Sequence, residues 1–177
     1  GSITTSGTQT YSGAITLTAD TTLISTGSAI SASTIDGAYD LTIASGAAQS
    51  LTSAIGSSTP LTSINVSTTS GNLTLGNNII VTGTGTDAMI FNAGSSTAAG
   101  TTTGGNINIS GSPTFTTGSG GRMTYYTGSV SGSTGLTSLI GSGTNRFRYN
   151  SDETTTNYSA ALSSGKYASY REQPTLT

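Results

Sequence analysis

The side chains most able to do chemistry in this 177-residue chain are a few carboxylates and many hydroxyls. Glycoside hydrolysis needs two carboxyl groups about 5–10 Å apart, and the pairs closest in sequence are Asp36 with Asp40 and Asp152 with Glu153. A serine nucleophile needs an adjacent base, and the chain has no histidine and no cysteine. We therefore predict that the chain is not an enzyme and that it has no catalytic residue, cofactor or metal site.

Charged groups are few and unevenly distributed. Residues 1–121 contain four acids and no base, whereas residues 122–177 contain all five bases. A nucleic-acid-binding surface neutralises phosphates with clustered Lys and Arg, which residues 1–121 cannot supply. No apolar run reaches the ~18 residues of a membrane span. We therefore predict no nucleic-acid partner and no membrane insertion.

Apolar residues alternate with small polar residues over short stretches, which is the two-residue period of a β-strand. The clearest examples are Leu41-Thr42-Ile43, Ile64-Asn65-Val66, Leu73-Thr74-Leu75 and Ile107-Asn108-Ile109. Clusters of Gly, Ser, Asn and Asp between these stretches are typical of turns. The sequence therefore predicts an all-β fold.

Two all-β architectures compete for this pattern. A sandwich fills a layer about 10 Å thick between two sheets, usually with aromatic side chains, and residues 1–121 contain only Tyr11, Tyr39, Phe91 and Phe115. A β-solenoid needs only a few medium-sized side chains per coil, because each coil stacks on the next. Similar segments begin at residues 38, 60 and 71, with echoes at 105 and 135. We therefore predict a parallel β-solenoid with coils of about 20 residues, about six of them between residues 3 and 121.

The C-terminal third differs in composition from the rest. Residues 122–177 contain seven of the eleven aromatic residues and eight of the twelve charges. The end of a solenoid exposes unpaired backbone groups and an open core, and it needs a cover. We therefore assign residues 1–121 to solenoid coils and residues 122–177 to the final coils and a cap of the same domain. The candidate cap or end-contact residues are Tyr125, Tyr126, Phe147, Tyr149, Tyr167, Tyr170 and Arg171.

Several segments, taken in order, resemble the repeats of filamentous-haemagglutinin-like bacterial adhesins. The repeat-like segments are ITTSGTQTYSGAITLTADTTLIST (3–26), GAYDLTIASG (37–46) and PLTSINVST (60–68). The segments that resemble the closing part of such a solenoid, which precedes Gly-rich, mostly-β modules, are YYTGSVSG (125–132), FRYNSDETTTNYSAAL (147–162) and GKYASYREQPTLT (165–177). The resemblance implies a right-handed parallel β-helix that is exported to the cell surface. It also implies a role in attachment or matrix building, and no catalytic residues.

This resemblance and the composition together predict a non-enzymatic, extracellular structural or adhesive module. Its expected partners are copies of itself placed end to end, flanking segments of a larger chain, and host or matrix glycans. Two alternatives stay open. Regular Thr-x-Thr arrays bind ice, and Thr16/Thr18 and Thr114/Thr116 fit that pattern locally. Parallel β-helices also include carbohydrate-binding and carbohydrate-degrading proteins, and the C-terminal aromatics could stack on sugars.

Four Asn-x-Ser/Thr sequons occur in the chain. They begin at Asn65, Asn72, Asn108 and Asn157. Because serine and threonine are so abundant, several such sequons are expected by chance. We predict that these asparagines are unmodified and that their side chains form turn or ladder hydrogen bonds.

Overall fold

The computed structural model describes residues 1–175, which form 17 strands and one short helix. No helix in this range is long and apolar enough to cross a bilayer. The first nine strands are β1 Ser2–Thr5, β2 Gln9–Tyr11, β3 Ile15–Thr16, β4 Thr21–Ser25, β5 Ile30–Ala32, β6 Ile35–Asp36, β7 Asp40–Ser45, β8 Gln49–Leu51 and β9 Ser63–Thr68. The remaining elements are β10 Leu73–Leu75, β11 Ile79–Ile80, β12 Met89–Ala93, β13 Ile107–Ile109, β14 Phe115–Thr116, β15 Arg122–Thr127, α1 Leu136–Ile140, β16 Phe147–Arg148 and β17 Gly165–Tyr170.

One sheet of eight parallel strands runs through the whole molecule, in the order β1-β4-β7-β9-β12-β15-β17-β16. The chain returns to this main sheet at growing intervals: Ser2 lies opposite Thr22, and Met89 lies opposite Met123. Five strands of this sheet begin before residue 122. The expected interval of 20 residues therefore holds for the first returns, and later returns are longer. The all-β prediction is confirmed.

Two further ladders accompany the main sheet. The second ladder contains β2 and β5, then β8, β10 and β13. The third contains β3 and β6, continues through a bridge at Ile55, and ends with β11 and β14. Every strand pair in residues 1–175 is parallel. This pairing excludes the antiparallel sandwich that competed at the level of sequence.

The core consists of rows of inward side chains that stack from strand to strand. In the main sheet one row begins with Ile3 and continues through Leu23, Ile43, Val66 and Phe91. From Leu23 onward these side chains are at most 4% exposed, and burying each one contributes ~1.5–3 kcal/mol. The row changes from aliphatic to aromatic at Phe91, whose ring stacks on Tyr125 in the next strand of the sheet.

Buried hydroxyls hold the corners that follow three main-sheet strands, β4, β7 and β9. The Ser25 Oγ donates to the carbonyl of Gly7 at 2.8 Å, and the Ser45 Oγ donates to the carbonyl of Ala47 at 2.8 Å. These bonds satisfy turn carbonyls that no strand can reach. The adjoining position needs glycine, because a Cβ on Gly46 would lie 2.1 Å from the carbonyl oxygen of Thr26.

A buried glutamine joins the two halves of the second ladder. Backbone pairing is interrupted between β5 and β8. The Gln49 side chain bridges this gap: its Oε1 accepts the N–H of Ile30 at 2.8 Å, and its Nε2 donates to the carbonyl of Ile30 at 2.5 Å. One carboxamide thus replaces a pair of strand hydrogen bonds and keeps Gln49, which is 1% exposed, fully satisfied on both sides.

Asparagine side chains form ladder bonds between successive coils. The Asn72 Oδ1 accepts the N–H of Asn106 at 2.9 Å, and the Asn106 Oδ1 accepts the N–H of Ser129 at 2.8 Å. The Asn108 Oδ1 likewise accepts the N–H of Thr134. The ladder prediction is confirmed for the sequon residues Asn72 and Asn108. The amide of Asn157 donates within its own loop, to the carbonyl of Asn150.

The end of the chain departs from simple repetition. Strand β15 pairs with β12, so the main sheet continues past Gly121. Strand β16 then takes the outermost place, and β17 pairs on both sides, between β15 and β16. The segment from residue 135, whose sequence echoes the strand segment at residue 60, forms α1 instead of a strand. Leu136 and Ile140, four residues apart, both face the core, and this spacing suits one helical turn.

We expect Ile64→Ala to lower the unfolding free energy by ~2–5 kcal/mol, because Ile64 is 0% exposed at the centre of the main sheet and the substitution leaves a cavity. The matched control is Asn65→Ala, at the neighbouring exposed position, with an effect within ~0.5 kcal/mol. Urea denaturation followed by circular dichroism measures both. Equal losses in the two variants would contradict the assignment of inward and outward faces.

Candidate functional site

The residues predicted to cap the molecule cluster around β15 and β17, and they divide between the core and the outer face. Tyr125 is 0% exposed. Its ring stacks on Phe91 at a centroid distance of 5.2 Å and meets Phe115 edge-on at 6.1 Å. Burial raises the pKa of the Tyr125 hydroxyl far above its usual value. Tyr125 therefore fills the core beside Phe91 and Phe115, and it offers no surface to a partner.

Three further aromatic rings, those of Phe147, Tyr170 and Tyr149, stack near β16 and β17. Tyr170 is 0% exposed and lies between Tyr149, at 5.5 Å, and Phe147, at 6.3 Å. Burial raises the pKa of Tyr170. Phe147 is half-buried, and Tyr149 is 37% exposed. Tyr149 is thus the predicted cap residue with the most accessible ring.

Tyr126 and Tyr167 lie on the outer face of the main sheet, under an irregular segment formed by residues 149–164, called the strap here. The Tyr167 hydroxyl bonds to the Ser163 Oγ at 2.8 Å. The Arg146 and Arg148 guanidiniums lie 5.0 and 5.5 Å from the Tyr167 ring centre. The bond to Ser163, together with these cations, lowers the pKa of Tyr167. The hydrogen bond from Ser163 therefore holds the strap against the sheet, and Arg148 adds a cation–π contact with Tyr158 of the strap at 5.1 Å;.

Arg171 is a buried cation bound mainly by backbone carbonyls. It is 0% exposed, and its Nη2 donates to the carbonyls of Ala93 at 2.7 Å and Gly105 at 2.9 Å. Burial lowers the pKa of Arg171, while Glu153 and Asp152 oppose that shift. The guanidinium joins both ends of the long connection between β12 and β13. Arg171, which directly follows β17, therefore tethers this strand to the β12–β13 connection.

Asp152 anchors the strap to the same connection. Its Oδ2 accepts the N–H of Ala99 at 2.7 Å, and its Oδ1 accepts the N–H and hydroxyl of Thr154 at 2.7 and 2.8 Å. Burial alone would raise the pKa of Asp152, but these bonds and the N–H of Thr155 lower it on balance. This carboxylate is saturated with donors, as expected of a structural anchor.

The carboxylates of the N-terminal half serve the ladders in the same way. The Asp36 Oδ1 accepts the N–H groups of Ser58 and Thr59 at 2.7 and 3.1 Å. The Asp40 Oδ1 accepts the Ser63 hydroxyl at 2.7 Å. Both members of the pair considered for hydrolysis are therefore engaged with the following coil. No group of three or more acidic, His or Cys side chains suited to a metal occurs in the part of the chain that the structure describes.

The threonine pairs considered for ice binding do not recur along the axis. Thr16 in β3 lies opposite Asp36 in β6, and Ile80 lies opposite Thr116. A flat ice-binding face would need threonine at the same place in every coil. At the outward positions of the third ladder, Thr16 is instead followed by Asp36, and Ile80 is followed by Thr116.

The buried hydroxyls at the corners were not predicted, although the sequence contains a signal for them. Ser25, Ser45 and Thr68 each precede a glycine by one to three residues, at the end of an apolar strand.

No family model matches this chain, and no curated protein and no solved structure matches it significantly. The assignment of a function therefore depends on the residues of the chain and on their geometry.

We expect Arg171→Lys to destabilise the chain by ~1.5–3 kcal/mol for each charge-assisted hydrogen bond lost, because the shorter lysine side chain does not place its ammonium where Nη2 donates to the carbonyls of Ala93 and Gly105;. Hydrogen exchange should show lost protection at residues 93–105, where the acceptor carbonyls lie. Arg146→Lys, on the outer face, is the matched control and should leave that protection unchanged. Unaltered exchange at residues 93–105 in Arg171→Lys would contradict the tether.

Asp152→Asn should destabilise the chain at pH 7 and have a smaller effect at pH 3. The folded-state pKa of Asp152 is lowered, below the ~3.9 of an unfolded aspartate. Its ionisation therefore stabilises the fold above about pH 4, and this contribution is lost as the pH falls through the folded-state value. Urea midpoints at the two pH values measure the effect, with Asp87→Asn in an exposed turn as the control. The same midpoint shift at both pH values would refute this role.

Proposed function

We propose that the chain is a non-enzymatic structural or adhesive module of an extracellular bacterial surface or matrix protein. In this proposal the backbone winds as a right-handed parallel β-helix, with the main sheet and the two further ladders as its faces. The observation that carries the proposal is the in-register parallel pairing of successive main-sheet strands from β1 to β17. The right hand follows from the strong preference of parallel crossover connections, ~98%.

The chemistry of the surface supports a mechanical role. Asp36, Asp40 and Asp152 each accept a hydrogen bond from another residue of the chain. The exposed positions are dominated by threonine, serine and glycine, which carry no charge. Such a coat resists nonspecific ionic contacts. Bonds that all run between coils make the module stiff along one direction, as a spacer or fibre element requires.

The resemblance to filamentous-haemagglutinin-like repeats supports the same role and the extracellular location. The resemblance implies that a β-helical region of this kind serves attachment or matrix building. The partners of this module would be flanking segments of a larger chain, further copies of itself, and matrix or host glycans. The C-terminal aromatic and charged residues would serve as the cap of the helix, because most of them pack inward or beneath the strap.

Surface display tests the proposal. Cells that present the chain on an outer-membrane anchor should attach to matrix-coated surfaces, or aggregate, several-fold more than cells with the anchor alone. Val66→Asp places a charge at a 0% exposed core position and should return attachment to the background level at equal display. Attachment at background for the unaltered chain would count against adhesion.

Assays of the purified chain distinguish the alternatives. Release of unsaturated or reducing sugars from polysaccharides, abolished in Asp36→Asn, would instead identify an enzyme. Thermal hysteresis of ice growth would identify an ice-binding protein. We expect neither activity, because the threonine pairs do not recur and the carboxylates bind backbone donors or, at Asp40, a hydroxyl.

A further inference from the structure

Three of the five basic side chains meet on the outer face of the main sheet, and they are called the arginine cluster here. Arg146 and Arg148, two residues apart, lie on one side of β17, and Arg122, in β15, lies on its other side. The Arg146 and Arg148 guanidiniums both lie over the ring of Tyr167. Strand β17 is paired with β15 and with β16. Tyr167, on which the cluster is centred, therefore lies inside the sheet and not at its edge.

A glycine gives the cluster the room to form. Gly165 lies opposite Arg122 in the pairing of β15 with β17. A Cβ at position 165 would lie 2.5 Å from the Arg146 Nη1, so the Arg146 side chain occupies the space that another residue type would fill. The Arg146 Nη1 donates to the carbonyl of Ser164 at 2.8 Å, and the Arg122 Nη1 donates to the carbonyl of Leu162 at 3.2 Å. Two like charges are thus bound to acceptors two residues apart in the chain.

The protein does not neutralise the charge of this cluster. Within residues 1–175 its side-chain hydrogen bonds go to backbone carbonyls, and only the Nη1 atom of each guanidinium donates them. Burial raises the pKa of Tyr126, and the carboxylates of Glu153 and Asp87 raise it further. Neither carboxylate accepts a hydrogen bond from the cluster in the part of the chain that the structure describes. Because like charges that share a site repel one another, the cluster attracts a negatively charged ligand.

Buried polar atoms on this face lack hydrogen-bond partners. Among the described residues, the Nε of Arg122, the Nε of Arg148 and the Oγ1 of Thr124 are buried and unpartnered. Arg148 is 8% exposed, and Thr124, which lies opposite Tyr167, is 1% exposed. Leaving a buried donor unsatisfied costs free energy, and such departures from full satisfaction are characteristic of functional sites. The arrangement of these side chains therefore serves more than the stability of the fold.

Tyrosine rings surround the arginine cluster and indicate the kind of anion that it suits. The Arg148 guanidinium lies between two rings, 5.1 Å from the centre of Tyr158 in the strap and 5.5 Å from that of Tyr167. Tyr126 and Tyr158 are half-buried, so part of each ring is accessible. Guanidinium forks bind carboxylates and similar oxyanions, and an accessible tyrosine offers an apolar face with a polar tip. A sugar ring that carries an acidic group matches both features.

We propose that the arginine cluster binds an acidic polysaccharide, with carboxylate or sulfate groups at the Nη2 atoms and a sugar ring against Tyr158. This inference rests on the proposed function, because it names the class of glycan that an adhesive module of this kind would bind. One acidic group for each guanidinium limits the contact to a short segment of the polysaccharide. A nucleic acid is a poorer ligand, because its phosphates need further cations and residues 1–121 contain no base.

Isothermal titration of the purified chain with polygalacturonate, dextran sulfate and neutral dextran tests the site. The two acidic polysaccharides should bind, and neutral dextran should not. Arg122→Gln and Arg146→Gln should each weaken binding about tenfold or more, because each removes charge-assisted hydrogen bonds, while circular dichroism shows that both variants fold. Lys166→Gln is the matched control. It removes the same charge from the position opposite Met123, in the inward register of the sheet, and should leave the affinity nearly unchanged.

The unaltered chain gives an independent readout, because it contains only four arginines. On titration with polygalacturonate, the Nε–H NMR signals of Arg122, Arg146 and Arg148 should shift, whereas that of Arg171, buried in the fold, should not. Equal weakening by Lys166→Gln, equally tight binding of single-stranded DNA, or no binding of either acidic polysaccharide would overturn the site. Cells that display the chain and attach to a matrix without acidic polysaccharide would still support adhesion.

Discussion

The structure depends on one constraint: the backbone groups of each strand must be satisfied by the strands on either side of it. Parallel strands bond along one direction, so a strand cannot complete its hydrogen bonds alone. The chain must therefore return to the same sheet in register, and wherever a strand breaks off, a side chain has to supply the missing partner. Gln49 does so inside the second ladder, and Ser25 and Ser45 do so at the corners. Side-chain amides and hydroxyls are thus part of the folding code, and they explain why so little of the chain is aliphatic.

The same constraint explains the unusual C-terminal third. Phe91, Phe115 and Tyr125 fill the core there with mutual ring contacts. Longer connections also leave more carbonyls without a strand partner. Arg171 satisfies several of them at once, at the cost of burying a charge. A buried guanidinium without a bonded carboxylate is costly to form, but it fixes the position of the last strand, because the charge has no other low-energy location.

Much of the fold could be predicted from local pattern. Leu41-Thr42-Ile43 and Ile64-Asn65-Val66 lie in β7 and β9 as expected, because a half-buried strand imposes a period of two regardless of context. The composition of residues 122–177 sets that third apart, and its assignment as final coils and a cap stays a prediction. Features that depend on distant contacts could not be predicted. The insertion of β17 between β15 and β16 is a choice of partner that no local pattern records. The helical turn at Leu136 arises because two apolar residues four apart meet a core that only the fold creates.

The candidate cap residues stay a prediction as a functional site, and the structure shows where their side chains lie. Composition assigned Tyr125, Tyr167 and Arg171 to a cap or an end-contact surface, and it could not separate the side chains that face inward from those that face outward. The structure instead separates them by strand parity: Tyr125 faces inward, whereas Tyr167 faces outward beneath the strap. Whether a side chain faces inward follows from the register of its strand. That register depends on the number of residues between successive main-sheet strands, which grows irregularly along the chain. The same parity leaves Tyr149 as the most exposed of these rings. Because most of the carboxylates and all four guanidiniums in residues 1–175 are hydrogen-bonded within the structure, the chemistry left at the surface is mainly that of hydroxyl groups.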